Sequence, residues 1–148
     1  MSVLRHVVLV STEPTLSARL SSAFDGFGSG WKLHIATSEA GVHDKIDEGR
    51  CDVLMVDSSI EREAALDLMG NVWQAHPEII RFLCHTSPDD DLMMRCVWSC
   101  HRLFTQELEP TAILEAIQRA VQVQRWLGNR NIHEMVSRLR TFPTIPTL

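Results

Sequence analysis

Five short apolar runs, each followed by a stretch with helical spacing, constrain what this 148-residue chain can fold into. They lie at residues 5–10, 32–37, 51–57, 79–84 and 103–104. Short runs rich in β-branched residues and bounded by polar turn residues read as strands buried on both faces. Such strands belong to parallel sheets covered by helices. The second run, Lys32-Leu33-His34-Ile35-Ala36-Thr37, alternates apolar and polar residues, so one of its faces is wetter.

The intervening stretches carry helix signals. Ser11-Thr12-Glu13 precedes Pro14, which suits the first position of a helix. Leu16, Leu20, Ala23, Phe24 and Phe27 then recur at helical spacing, before Gly26, Gly28 and Gly30 open a loop. Ser38 can cap a short helix bearing Ala40, Val42 and Ile46, which stops at Gly49. Ala65, Leu68, Met69, Val72 and Trp73 form the next stripe. Asp89, Asp90 and Asp91 suit a helix start, where the dipole favours anions. Leu92, Met93, Cys96 and Val97 supply that helix with a modest apolar face. Pro110 opens a clear amphipathic helix through Ile113, Ala116, Ile117, Ala120, Val121 and Leu127, with Val123 and Trp126 beside the stripe. Strand and helix repeated five times predict one α/β domain with a parallel sheet wrapped on both sides.

Composition narrows the partners. A net charge of −5 with no basic block argues against direct nucleic-acid binding. No apolar run approaches the ~20 residues of a membrane span, and no signal-peptide pattern stands out, so a cytoplasmic protein is expected. The four cysteines, Cys51, Cys84, Cys96 and Cys100, read as small apolar core residues. Cys96, Cys100 and His101 lack the second matched pair that a zinc site wants. His101 reads as a packing or hydrogen-bonding residue.

Asp57 is the candidate centre. It ends the third strand, at the sheet edge where open α/β folds bind ligands. The plainer reading is a carboxylate that caps its own loop. An enzyme using Asp57 as acid or base, with His85 or His101 as partner, is a reading from another class. The chain has neither a G-x-G-x-x-G phosphate loop nor a G-x-S-x-G nucleophile elbow, so no enzymatic activity is expected.

Five strand–helix units with a carboxylate ending the third strand resemble the receiver domain of two-component response regulators. The resemblance implies a CheY-like, flavodoxin-like (βα)5 three-layer sandwich over residues 4–127, with a five-stranded sheet of order 2-1-3-4-5. Arg81-Phe82-Leu83, Cys100-His101-Arg102-Leu103-Phe104 and the helix after Pro110 resemble receivers fused to an HDOD output domain. Leu139-Arg140-Thr141-Phe142-Pro143-Thr144-Ile145-Pro146 looks like the opening of that domain. Residues 128–148 then read as a linker helix, with Ile132, Met135, Val136 and Leu139 on its stripe, leading into a truncated output domain. The resemblance implies a bacterial phosphorelay setting. Its partners are the chain's own output domain, a histidine kinase, and a second copy docked through the fourth helix, fifth strand and fifth helix.

Carried over residue by residue, the receiver site is incomplete. Asp57 matches the phosphate-accepting aspartate. The acidic pair that holds Mg²⁺ falls on Ser11 and Thr12, with Glu13 the only neighbouring charge. The switch hydroxyl position falls on His85, with Thr86 next, and the lysine position falls on Gln106. Phosphoryl transfer is catalysed mostly by positioning and by cations that neutralise the transferring group. Mg²⁺ wants carboxylates and water, and a glutamine amide cannot replace an ammonium. At ~3 kcal/mol for one lost oxyanion donor, several losses leave little phosphorylation. A degenerate receiver, or pseudo-receiver, with no cofactor is therefore expected. The alternative is a working phosphoacceptor that holds Mg²⁺ through Asp57 and Glu13. His85 is also expected to face Asp57 as its charge partner.

Overall fold

The computed structural model describes residues 5–28 and 30–127. Ten elements alternate without exception: β1 (Arg5–Val10), α1 (Pro14–Gly26), β2 (Trp31–Ala36), α2 (Glu39–Asp47), β3 (Val53–Val56), α3 (Arg62–Ala75), β4 (Ile80–Cys84), α4 (Asp90–Ser99), β5 (Arg102–Phe104) and α5 (Pro110–Leu127). All four strand pairings are parallel, and the sheet runs β2-β1-β3-β4-β5. This is the five-stranded order and the three-layer architecture that the resemblance implies.

Local chemistry explains where the elements start and stop. Pro14 opens α1 with its φ already set for a helix. Ser38 accepts the Gly41 amide, and Asp89 accepts the Leu92 amide at 2.8 Å. Glu61 accepts both the Glu63 and Ala64 amides at the start of α3. The chain leaves α2 through Gly49 at φ +72, a conformation that glycine reaches without strain.

The pleat divides the core in two, because successive strand residues face opposite sides of the sheet. Val7, Leu9, Val53, Met55 and Phe82 pack with Leu20 and Phe24 of α1 and Ile113 and Ile117 of α5. Val8, Val10, Leu54, Val56 and Leu83 pack with Val42 of α2, Met69 and Val72 of α3, and Leu92 and Cys96 of α4. Every residue of β3 and β4 is buried, as strands covered on both faces must be.

The helix stripes need correction in three places, the first being Ala40 of α2, which is exposed. Trp73, expected in the α3 stripe, is exposed. Met93 and Val97, expected on the packed face of α4, are 48% and 47% exposed. Only Leu92, Cys96 and Ser99 of α4 are buried, so one narrow edge of the helix meets the sheet. Met94 and Trp98 join Met93 and Val97 in the open. No helix among the described residues is long and apolar enough to cross a membrane. The linker helix and output-domain opening lie outside the described residues.

Candidate functional site

The β1–β3 register pairs Val10 with Val56, so the residues that follow, Ser11 and Asp57, come side by side at the C-terminal sheet edge. The Asp57 amide extends the ladder by donating to the Val10 carbonyl at 3.1 Å. Ser11 and Asp57 are 2% and 4% exposed, so the carboxylate needs partners to remain there.

It has three. Ser11 Oγ donates to Oδ2 at 2.7 Å. The Ser59 amide and Ser59 Oγ both reach Oδ1, at 2.9 and 2.5 Å. The proton directions are fixed by the backbone. Ser11 Oγ accepts the Glu13 amide at 3.0 Å, and Ser59 Oγ accepts the Thr12 amide at 2.9 Å. An amide can only donate and a carboxylate can only accept, so each hydroxyl accepts from its amide and gives its own proton to Asp57. All three donors to the carboxylate are uncharged.

The sequence-derived residues distribute unevenly around this centre. Ser11 takes part through its hydroxyl, while Thr12 and Glu13 take part through backbone amides and are exposed. Gln106 is exposed, and its carbonyl accepts the Cys84 thiol at 3.3 Å. Thr86 is exposed. His85 does not pair with Asp57. Its Nδ1 accepts the Ser87 amide at 3.2 Å, and its backbone amide pairs with Phe104. The ring thus turns back into its own loop, where it accepts the Ser87 amide.

Sequence reasoning missed two residues at the site. Ser59 supplies two of the three bonds to Asp57, and the signal for it was an Asp followed two residues later by Ser, the Asx-turn pattern. Cys84 reads as core and is core, yet it lies near the carboxylate. Burial, then the Asp57 charge, pushes its thiol up to about 11.

The donor set does not fit the Mg²⁺ site that the receiver resemblance implies. Asp57 is the only carboxylate bonded into the network, and both its oxygens are engaged. Among the described residues no group of three or more His, Cys, Asp or Glu side chains converges to hold a metal.

Beyond the pocket, charged side chains tie α3 to α4. Arg62 binds both oxygens of Asp89, at 2.7 and 2.9 Å, and Asp91 at 2.8 Å. Arg95 binds both oxygens of Glu63 at 2.8 Å. The Arg62 bonds, followed by the Leu92 amide, hold the Asp89 carboxyl down at about 2. At the opposite sheet edge, Arg81 is buried and its guanidinium donates to the carbonyls of Ser99 at 2.7 Å and Ile79 at 2.8 Å. His101 sits there too, far from the role of a partner to Asp57, and its Nδ1 accepts the Arg81 amide at 2.9 Å.

No family model and no curated protein matches the chain. Solved structures do. The signal receiver domain of an HD domain-containing protein from Pseudomonas fluorescens Pf-5 superposes with TM-score 0.71 at 17% identity, covering 82% of this chain and 98% of that one. A CheY-like response regulator receiver domain protein from Methanospirillum hungatei JF-1 gives TM-score 0.72 at 12% identity, covering 82% and 97%. An orphan response regulator of H. pylori gives 0.67 at 14%, covering 78% and 95%. With its element order, its sheet order and these superpositions, the chain has the CheY-like fold of response-regulator receiver domains.

Proposed function

We propose that this chain is a receiver-like signalling module of the two-component type that acts through protein contacts, with its phosphorylation site impaired. The observation that carries this reading is the closed shell around Asp57, in which Ser11 and Ser59 occupy both carboxylate oxygens. To accept a phosphoryl group, an oxygen of Asp57 must give up such a bond and meet an incoming anion. The neutralising cations of phosphoryl transfer would come from a metal site and a lysine. Ser11, Thr12 and Gln106 stand at those positions. A pocket with one stable arrangement has no ligand with which to bias two states.

The output is a C-terminal HDOD-type domain, which begins within residues 128–148 after a linker helix and is governed by residues 4–127. The Pseudomonas structure named above, a receiver from an HD domain-containing protein, supports an arrangement of this kind. The setting is a bacterial cytoplasm, the role is regulatory and not enzymatic, and no cofactor is required. Contacts with a second copy use the α4–β5 face, where Met93, Met94, Val97 and Trp98 form an exposed apolar strip. Asp90 and Arg102 both line the groove beside it, so a two-fold axis can set the acid of one copy against the base of the other. Val123 and Trp126 of α5 are also exposed.

The test uses the full-length protein with Asp57→Asn. The amide keeps the site's shape and removes the nucleophile. Output within twofold of wild type supports control by contacts. Loss of output, together with histidine-kinase-dependent labelling of wild type, supports the phosphoacceptor alternative with Glu13 as a metal ligand.

A further inference from the structure

Two histidines on neighbouring strands face each other. The β1–β2 register pairs Val8 with His34, so His6 and His34 stand diagonally on one face of the sheet. Val8 and Val42 of α2 belong to the core on that face, so α2 is the helix that covers it. Both rings are half-buried. His6 Nδ1 and His34 Nε2 lie 2.9 Å apart, and the rings stack with centroids 5.2 Å apart and planes inclined by 23°. One nitrogen donates the single shared N–H and the other accepts it, whichever tautomer is present.

The charges around the pair are mostly positive. Burial first, then Lys45 of α2, His6, Lys32 of β2 and Arg50 of the α2–β3 loop hold His34 below its usual 6.5. Glu48 answers Lys45 and Arg50 only at 3.6 and 3.9 Å. On the β3 side stands Asp52, whose Oδ2 accepts the His6 amide at 2.7 Å. Above the pair, α2 is unevenly fastened. Gly41 sets its first turn hard against β2, where a Cβ would come within 3.2 Å of the Ala36 Cβ. Beyond that turn α2 buries Val42 alone, with Ile46 partly covered, and its last turn carries Lys45.

We propose that His6 and His34 form a proton-binding latch beneath α2, closed while one ring accepts from the other and released when both rings are protonated. The first proton leaves an imidazolium N–H donating to the other ring's lone pair, so the contact survives. The second proton takes up that lone pair. Two N–H groups then point at each other, and Lys45, Lys32 and Arg50 add to the repulsion. The rings separate, and the C-terminal half of α2, held by Val42 and Ile46, lifts with them. The β1–β2 ladder stays, because its bonds are between backbone groups. The released state binds the second proton more readily than the closed one. The latch is therefore closed above about 6.5 and opens as pH falls below it. Its signal is acidity, and its readout is the β2–α2 corner, at the sheet edge opposite β5.

The inference is independent of phosphorylation at Asp57. The folded full chain is titrated from about pH 8 to about pH 5, the range in which histidine changes charge. NMR follows the ring nitrogens, and amide hydrogen exchange, corrected for the intrinsic rate at each pH, follows α2 and α3. The two rings should titrate as a coupled pair in two separated steps. Opening of α2 should rise about tenfold per pH unit across the second step, while α3 keeps its protection. The double variant His6→Asn, His34→Gln can still hydrogen-bond but takes up no proton, so its α2 should not respond to acid. Circular dichroism reports whether that variant folds, and the wild-type ring titration decides the matter if it does not. Rings that titrate independently, an α2 response that survives in the double variant, or α3 opening in step with α2 overturns the proposal.

Discussion

Asp57 and Trp98 are both unusual placements, and they are handled in opposite ways. Asp57 is a carboxylate that is 4% exposed, and Trp98 is a large apolar side chain that is 64% exposed. The carboxylate has its discomfort removed within the chain: three donors close on its two oxygens, and those hydroxyls are in turn held by backbone amides. The tryptophan has no such relief. It stands with Met93, Met94 and Val97 on a helix that buries only one edge. One region is internally satisfied, and the other offers apolar area that only another surface can cover. That contrast is why the contacts proposed above are placed on the α4–β5 face. The ion pairs from Arg62 to Asp89 and Asp91 join the two regions, since α3 follows the Asp57 loop and Asp89 caps α4.

The largest effect expected from breaking this contrast lies in the pocket. Ser11→Asp with Thr12→Asp places a second buried carboxylate against Asp57 and removes one of its donors. An uncompensated buried charge costs about 3 kcal/mol, so thermal stability should fall sharply in chelator. Millimolar Mg²⁺ should restore much of it, and adding Gln106→Lys should then permit phosphorylation. Calorimetry with and without Mg²⁺ checks this, and a double variant indifferent to Mg²⁺ would mean that the pocket's arrangement is not set by charge.

At the other region, Trp98→Glu should weaken self-association at least tenfold in sedimentation velocity. The side chain is mostly in solvent, so the fold should change by under about 0.5 kcal/mol. Unchanged association would remove Trp98 from the contact.

A smaller effect is expected with pH. His101 is exposed overall, so solvent screens the effect: partial desolvation of its ring, then the charge of Arg81, lowers it from 6.5 to about 4. The folded state therefore binds this proton less readily than the unfolded chain does. Its contribution to stability is present above about 6.5 and is lost as pH falls toward 4, when the ring can no longer accept the Arg81 amide. His101→Gln should flatten the stability profile across that window, measured by urea titration at several pH values. The smallest effect is kinetic. Arg62→Ala should speed hydrogen exchange in the first turn of α4, and high salt should produce part of the same change in wild type, because these pairs are exposed.

Much of this architecture was legible beforehand because its causes are local. Buried parallel strands read as unbroken apolar runs, Pro14 and Ser38 announce helix starts, and a carboxylate ending the third run falls at the ligand edge of such a sheet. The misreadings came from tertiary geometry. Met93 and Val97 have the right period for packing on the sheet, but α4 leans on one edge, and nothing in its own sequence says so. His85 adjoins a strand end beside Asp57, yet the Ser87 amide two residues on captures its ring. Ser59 belongs to the site because the β1–β3 register brings Thr12 and Ser11 against it, a long-range pairing that its own neighbours in the chain do not encode. Cys84 shows the limit in the other direction, since an apolar residue at a strand end can also lie near a buried carboxylate.

The central claim is that Asp57 is held in a closed shell of uncharged donors and does not take a phosphoryl group. Its most direct test is intact-mass measurement of the wild-type chain after incubation with a small phosphodonor, such as acetyl phosphate, in millimolar Mg²⁺. The account predicts an unchanged mass, with a conventional receiver domain phosphorylated in parallel. A Mg²⁺-dependent phosphoryl adduct that maps to Asp57 and disappears in Asp57→Asn would contradict it.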